Sequence, residues 1–156
     1  MYLEQDEQEI EQLIHNPIRF ATGLPDWEDE LLYELMPSKL GYPLWTLQSC
    51  ADSLHELVLI QPHWLMPNYL LETDLNDQAS RIFASKDELI PFVPLTILSD
   101  APNEYKVRAH LLTPLFIHSI QKSGHRFLLN QFPINYSKSN RFKLTWDPTY
   151  SSKRIE

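Results

Sequence analysis

Residues 43–69, PLWTLQSCADSLHELVLIQPHWLMPNY, decide how the chain is read. From Leu44 to Ser49 the residues alternate, Leu44, Thr46 and Gln48 on one side and Trp45, Leu47 and Ser49 on the other. A period of two belongs to a strand with two unlike faces. Ser49-Cys50-Ala51-Asp52-Ser53 breaks the pattern with short polar residues. Leu57-Val58-Leu59-Ile60 is a continuous apolar run stopped by Gln61-Pro62, which predicts a strand buried on both sides. Two strands joined by so short a connector pair antiparallel. Trp64 and Tyr69 follow in a proline-punctuated link where a helix cannot continue. This is the middle of a β domain.

The flanks extend the same pattern. Ile10, Leu13 and Ile14 have helical spacing within an acidic start, and Ile18-Arg19-Phe20 begins a strand after Asn16-Pro17. Residues 23–27, Gly-Leu-Pro-Asp-Trp, form a turn, with Gly23 free to take positive φ. Leu31, Tyr33 and Leu35 alternate with Leu32 and Glu34 in a strand that Pro37 ends, and Tyr69 to Glu72 reads as a further strand. Asp74 is placed to cap a short helix near 74–84, with Leu75, Ala79, Ile82 and Phe83 on one face. Ile90 to Leu98 is a strand whose Pro91 and Pro94 point to an edge or a bulge. Val107 to Leu112 and Leu115 to His118 are strands parted by Pro114, and Ser123-Gly124 is a tight turn into a last strand, His125 to Leu129. About nine short strands and one short helix predict an all-β, antiparallel barrel-like or sandwich fold.

The 156 residues suit one domain, and 43% apolar residues suit a packed core. Three glycines against twelve prolines disfavour long helices. The single cysteine, Cys50, fits a reducing cytosol and excludes an internal disulfide. No leader pattern and no apolar run of spanning length is present, so a cytoplasmic protein is the expectation. The net charge of −8 is unevenly spread. Residues 1–15 form an acidic segment holding Glu4, Asp6, Glu7, Glu9 and Glu11, residues 16–136 form the β domain, and residues 137–156 form an extension basic through Lys138, Arg141, Lys143, Lys153 and Arg154. Such an acidic chain suits a basic protein partner better than nucleic acid.

Catalytic signals are missing. His55 and His63 are eight residues apart, as are His110 and His118, but Pro62 and Pro114 interrupt each interval and no zinc-type spacing occurs. Cys50 has neither a base nor a positive neighbour in its flanks, and a buried cysteine is the commoner case. The run Glu28-Asp29-Glu30 reads as a solvated face, and the scattered glycines build no phosphate loop. Of Trp27, Trp45, Trp64 and Trp146, Trp45 belongs in a core. Trp27 and Trp64 lie in turn-like segments suited to anchoring a protein partner. No cofactor and no metal is expected. Two other functions stay open on the residues alone: a β-barrel metalloenzyme using His55, His63, His110 or His118, and a barrel that binds single-stranded nucleic acid through its aromatics.

Residues 20–28, FATGLPDWE, resemble the F-x-x-G-L-P-G-F-E opening of the flagellar assembly factor FliW family. Residues 44–49, LWTLQS, are similar to that family's L-Q-S strand, and residues 58–62, VLIQP, with Pro67-Asn68-Tyr69 resemble its V-x-x-P…P-x-Y segment. Residues 109–117, AHLLTPLFI, followed by Gly124 and Leu128-Leu129, resemble N-L-x-A-P-I-V-I-N and a Gly-x-Q strand. Asp26 stands where the family pattern has Gly, and His110 where it has Asn. The resemblance runs in order over residues 18–136. It implies a small, non-enzymatic, monomeric β-barrel-like protein of the bacterial cytoplasm. Its implied partners are flagellin and the RNA-binding translational regulator CsrA, which FliW proteins take away from flagellin mRNA. Partner contacts are expected at Trp27, Glu28, Trp64, Pro67, Tyr69 and His110.

Overall fold

The computed structural model describes residues 10–14, 16–84, 88–101, 104–130, 140–145 and 151–155, with the backbone alone for Asp100 and residues 151–155. Most of the acidic amino-terminal segment, Lys138 and Trp146 lie outside the described residues.

Among the described residues ten strands are formed: β1 (Pro17–Phe20), β2 (Leu32–Pro37), β3 (Trp45–Ser49), β4 (Glu56–Ile60), β5 (Leu89–Ala101), β6 (Glu104–Ala109), β7 (Leu115–His118), β8 (Ser123–Arg126), β9 (Arg141–Thr145) and β10 (Ser151–Ile155). They make one sheet in the order β10-β9-β6-β5-β4-β3-β2-β1-β8-β7, and β7 also pairs with β5. That added pairing closes β5, β4, β3, β2, β1, β8 and β7 into a ring, from which β6, β9 and β10 continue as a wing. The pairing of β1 with β8 is parallel, Phe20 opposite Gly124; β3 and β4 are antiparallel as expected, Leu47 opposite Leu57.

The alternation feeds two cores. Ile18, Phe20, Tyr33, Leu35, Trp45, Leu47, Leu59, Ile90, Phe92, Leu115 and Ile117 form one cluster, which Ile10 and Leu13 of the helical residues 10–13 join. Ile60, Val93, Leu95, Phe116, Val107, Phe142 and Leu144 belong to a second, packed with Tyr69, Leu75 and Ala79. Adjacent residues therefore part company: Leu59 enters one core and Ile60 the other, as do Ile117 and Phe116. The expectation of burial on both sides of Leu57 to Ile60 holds for Leu59 and Ile60, while Leu57 and Val58 are half-buried.

Five local expectations change. Tyr69–Glu72 is a helical turn, α1, rather than a strand, because Asn68 is followed by backbone bonds from Leu71 and Glu72 to its carbonyl. The helix near 74–84 is present as α2 (Leu75–Ile82), but Asp74 does not cap it through its side chain. The Asp74 carboxylate instead accepts from Gln78 Nε2 at 2.9 Å and from the Asn130 N–H at 3.1 Å, and Ile82 is exposed. Strand β5 is central, and its bulge falls at Ile97/Ser99. Pro91 precedes Val93, where pairing to β4 begins, and Pro94 lies between Phe92, the last residue paired to β7, and Leu95, the first paired to β6. Each proline thus sits where β5 is changing neighbours and one fewer N–H is needed. Residues His110 to Thr113 turn instead of extending β6, the Thr113 N–H reaching the His110 carbonyl at 3.2 Å. Finally, Ser123 and Gly124 belong to β8, and the turn is at 119–122, where Lys122 takes φ 54°.

Candidate partner-binding surface

The meander β1–β2–β3–β4 sends alternate connections to alternate ends. Residues 21–31 and 50–55 share one end, tied by the Cys50 N–H to the Leu32 carbonyl at 2.9 Å. Gly23 takes φ +66°, and a Cβ there would lie 2.6 Å from the Glu28 carbonyl oxygen. Asp26 also takes positive φ, 71°, and its N–H donates to Glu28 Oε1 at 3.3 Å. The position where the family pattern has Gly therefore does require left-handed backbone, which Asp tolerates better than most side chains.

This turn presents Trp27, half-buried, stacked on His55 with ring centroids 4.8 Å apart and planes 5° from parallel. His55 Nδ1–H donates to Glu30, 2.7 Å from Oε2, and Ser49 Oγ donates to Glu30 Oε1 at 3.0 Å. Asp52 Oδ2 lies 3.6 Å from His55 Nε2. The imidazole is held between two carboxylates and keeps the indole flat at the rim of the barrel. Glu28 and Asp29 are exposed beside it. Inward of the same turn, burial and then Glu30 and Glu28 push the Tyr33 phenol up to about 12. Cys50, expected to be buried, is exposed; desolvation and the Glu34 carboxylate hold its thiol above the ordinary value.

The other expected residues lie elsewhere. Strand β2 is six residues long, so its two ends are about 20 Å apart. At the far end the connection 38–44 meets a 3-10 turn, Pro62–Trp64, where Trp64 packs edge-on against Tyr42 with centroids 5.8 Å apart. Pro67 is exposed, and α1 leaves Leu71 85% exposed. Tyr69 is buried at 1% exposure, and its hydroxyl donates to the Leu111 carbonyl at 2.6 Å. It offers no surface of its own; it fastens the Pro67 segment to the turn that carries His110. His110 Nε2 is 2.7 Å from Thr96 Oγ1, and burial, then Arg108, lowers its pKa. The six expected contacts thus form two groups, Trp27 with Glu28, and Trp64, Pro67 and Tyr69 with His110 joined through Leu111.

His55 and Tyr42 are the neighbours of Trp27 and Trp64 that sequence reasoning did not place there. The signal for His55 was the meander itself, which brings residues 50–55 to the turn carrying Trp27. The histidines proposed as metal ligands are dispersed: His55 is on Glu30, His63 tilts against Trp64 with centroids 5.2 Å apart, His110 is on Thr96, and His118 Nδ1 accepts the Gln121 N–H at 3.1 Å. Among the described residues no three His, Cys, Asp or Glu side chains converge as metal ligands. A cleft of about 370 Å³ lies between α2 and residues 125–130, with Arg81, Arg126, His125 and Phe127 in its walls. None of the six expected residues lines it. Among the described residues no helix is long and apolar enough to cross a membrane.

Comparison with known proteins bears on this arrangement. The profile of the family described as FliW protein matches residues 3–139. The flagellar assembly factor FliW of Syntrophomonas wolfei is 29% identical over 112 residues, 71% of this chain and 69% of the relative. That of Thermotoga neapolitana is 27% identical over 110 residues, 70% of this chain and 72% of the relative. A FliW of Shouchella clausii is 29% identical over 115 residues, 72% and 75% of the two chains. A crystal structure of the flagellar assembly factor FliW superposes with a TM-score of 0.61 at 22% identity, covering 90% of this chain and 87% of that one. Fold, turn and matched residues agree, and the chain belongs to the FliW family of flagellar assembly factors.

Proposed function

We propose that this protein is a non-enzymatic regulatory binding protein and chaperone of the bacterial cytoplasm, which binds flagellin and antagonises the translational regulator CsrA. Flagellin that accumulates recaptures the protein, CsrA returns to flagellin mRNA, and synthesis slows. The observation that carries this reading is the separation of the expected contacts into two groups of different chemistry at opposite ends of β2. The first is acidic: Trp27 on His55, bordered by Glu28, Asp29, Glu30 and Asp52. Carboxylates around one aromatic anchor suit a basic, RNA-binding partner and repel the phosphates it would otherwise hold. The second is apolar: Tyr42, Trp64, Pro67 and the exposed Leu71. Exposed aromatic and aliphatic side chains on a proline-stiffened connector suit the apolar face of a newly made flagellin chain.

The test is calorimetric titration of the protein with flagellin and with CsrA from the same organism, at low and moderate salt. Saturable binding to both supports the reading, with the CsrA affinity falling more steeply with salt. Absence of heat with both partners contradicts it.

A further inference from the structure

The wing β6-β9-β10 carries a charge pattern that the barrel does not need. Along β6 and β9 the inward residues, Tyr105, Val107, Phe142 and Leu144, pack on the second core. The residues between them point outward: Lys106 and Arg141 are exposed, and Arg108 and Lys143 half-exposed. Register sets Lys106 opposite Lys143 and Arg108 opposite Arg141. In backbone register, Lys153 of β10 lies opposite Lys143. Like charges directly opposite one another weaken a sheet, and here they are stacked in a chain of net charge −8 with only 13 Lys and Arg. Among the described outward residues of β6 and β9 the one carboxylate is Glu104, with Oε2 3.4 Å from Lys143 Nζ. Folding stability does not explain the rows.

Among the described residues the same wing ends in an open edge. Strand β10 pairs with β9 on one side and, among the described residues, with nothing on the other. Unpaired N–H and C=O groups along an edge template an added strand. We propose that the wing docks an extended acidic segment of a partner protein, which pairs with the edge of β10 and sets its carboxylates beside the cationic rows. An added strand shows alternate side chains to each face, so the segment carries Asp or Glu at every second position. The aromatics of β6 and β9, Tyr105 and Phe142, lie on the core side, so this face lacks the stacking platform a single-stranded nucleic acid requires. The molecule's overall negative charge also repels a polyanion more strongly than a short acidic segment. The surface uses none of the Trp27 or Trp64 groups.

The experiment uses the full chain and three probes: a peptide alternating Glu and Thr, a peptide of the same composition with Glu and Thr in separate blocks, and a single-stranded RNA oligonucleotide. Binding is followed by fluorescence anisotropy, and amide exchange of Ser151–Ile155 by mass spectrometry. The alternating peptide is expected to bind at least about tenfold tighter than the blocked one, to slow exchange along β10, and to lose binding in Arg141→Glu/Lys143→Glu. Equal affinity for the two peptides overturns the proposal, as does unchanged β10 exchange on saturation or tighter binding of the RNA. The peptide comparison and the exchange readout on the unaltered protein decide the matter even if charge reversal disturbs the fold.

Discussion

Gly124 is small for a reason of packing. A Cβ at this position would lie 2.3 Å from Phe20 Cζ, against the parallel pair that joins β1 to β8. Gly124→Ala is expected to lower stability by about 1–3 kcal/mol, the usual cost of overpacking, measured by urea unfolding; an unchanged midpoint contradicts the packing described. At Asp26, with φ 71°, the backbone decides. Asp26→Val is expected to cost about 1–2 kcal/mol while Asp26→Gly is tolerated, and equal losses in both variants would show that the side chain's contacts, not the backbone, set the residue. Tyr69→Phe removes the donor to the Leu111 carbonyl, 2.6 Å away, and should cost about 1–3 kcal/mol because a buried acceptor is left without it.

The histidines give a pH dependence. Burial lowers the pKa of His63, His110 and His125 below the ordinary 6.5, with Arg108 adding to the effect at His110 and Arg126 at His125. As pH falls below 6.5 the unfolded chain takes up these protons before the folded one does, so stability present above that pH is lost on acidification. The thermal midpoint should fall as pH drops below about 6.5, and that of His63→Gln should fall less. An equal fall in the variant would assign the effect to other groups.

At the scale of elements, the legible features were those written in periodicity. The alternation of residues 31–35 and 44–49 gave β2 and β3, and the turn at Gly23 was plain in its Gly-Leu-Pro run. Tyr69 to Glu72 misled because four residues show too little period to separate a strand from one helical turn. Pro91 and Pro94 pointed to an edge because the rule assumes one neighbour on each side throughout, whereas β5 exchanges β7 for β6 along its length. The candidate site was half legible. Trp27 and Trp64 were visible as aromatics in turns, but Tyr69 was buried by the Leu111 contact, which spans 42 residues. The cationic rows were hidden for the same reason, since Lys106 and Arg108 meet Lys143 and Arg141 only across strands. The two ends of β2 make a separable prediction. Trp27→Ala is expected to weaken CsrA at least about tenfold and spare flagellin, and Trp64→Ala the reverse, both read by calorimetry. Parallel losses in each variant would mean a single shared surface.

The whole molecule is a closed ring with a wing, acidic overall, its local charge sorted by face. Membership of the FliW family accounts for the ring, and under the proposed function the protein regulates by binding two partners in turn. The most direct measurement is release of a flagellin-mRNA leader from CsrA, followed by electrophoretic mobility as this protein is added and flagellin after it. Under the proposed function the RNA is freed by stoichiometric protein and rebound when flagellin is supplied. RNA that stays on CsrA at saturating protein would contradict it.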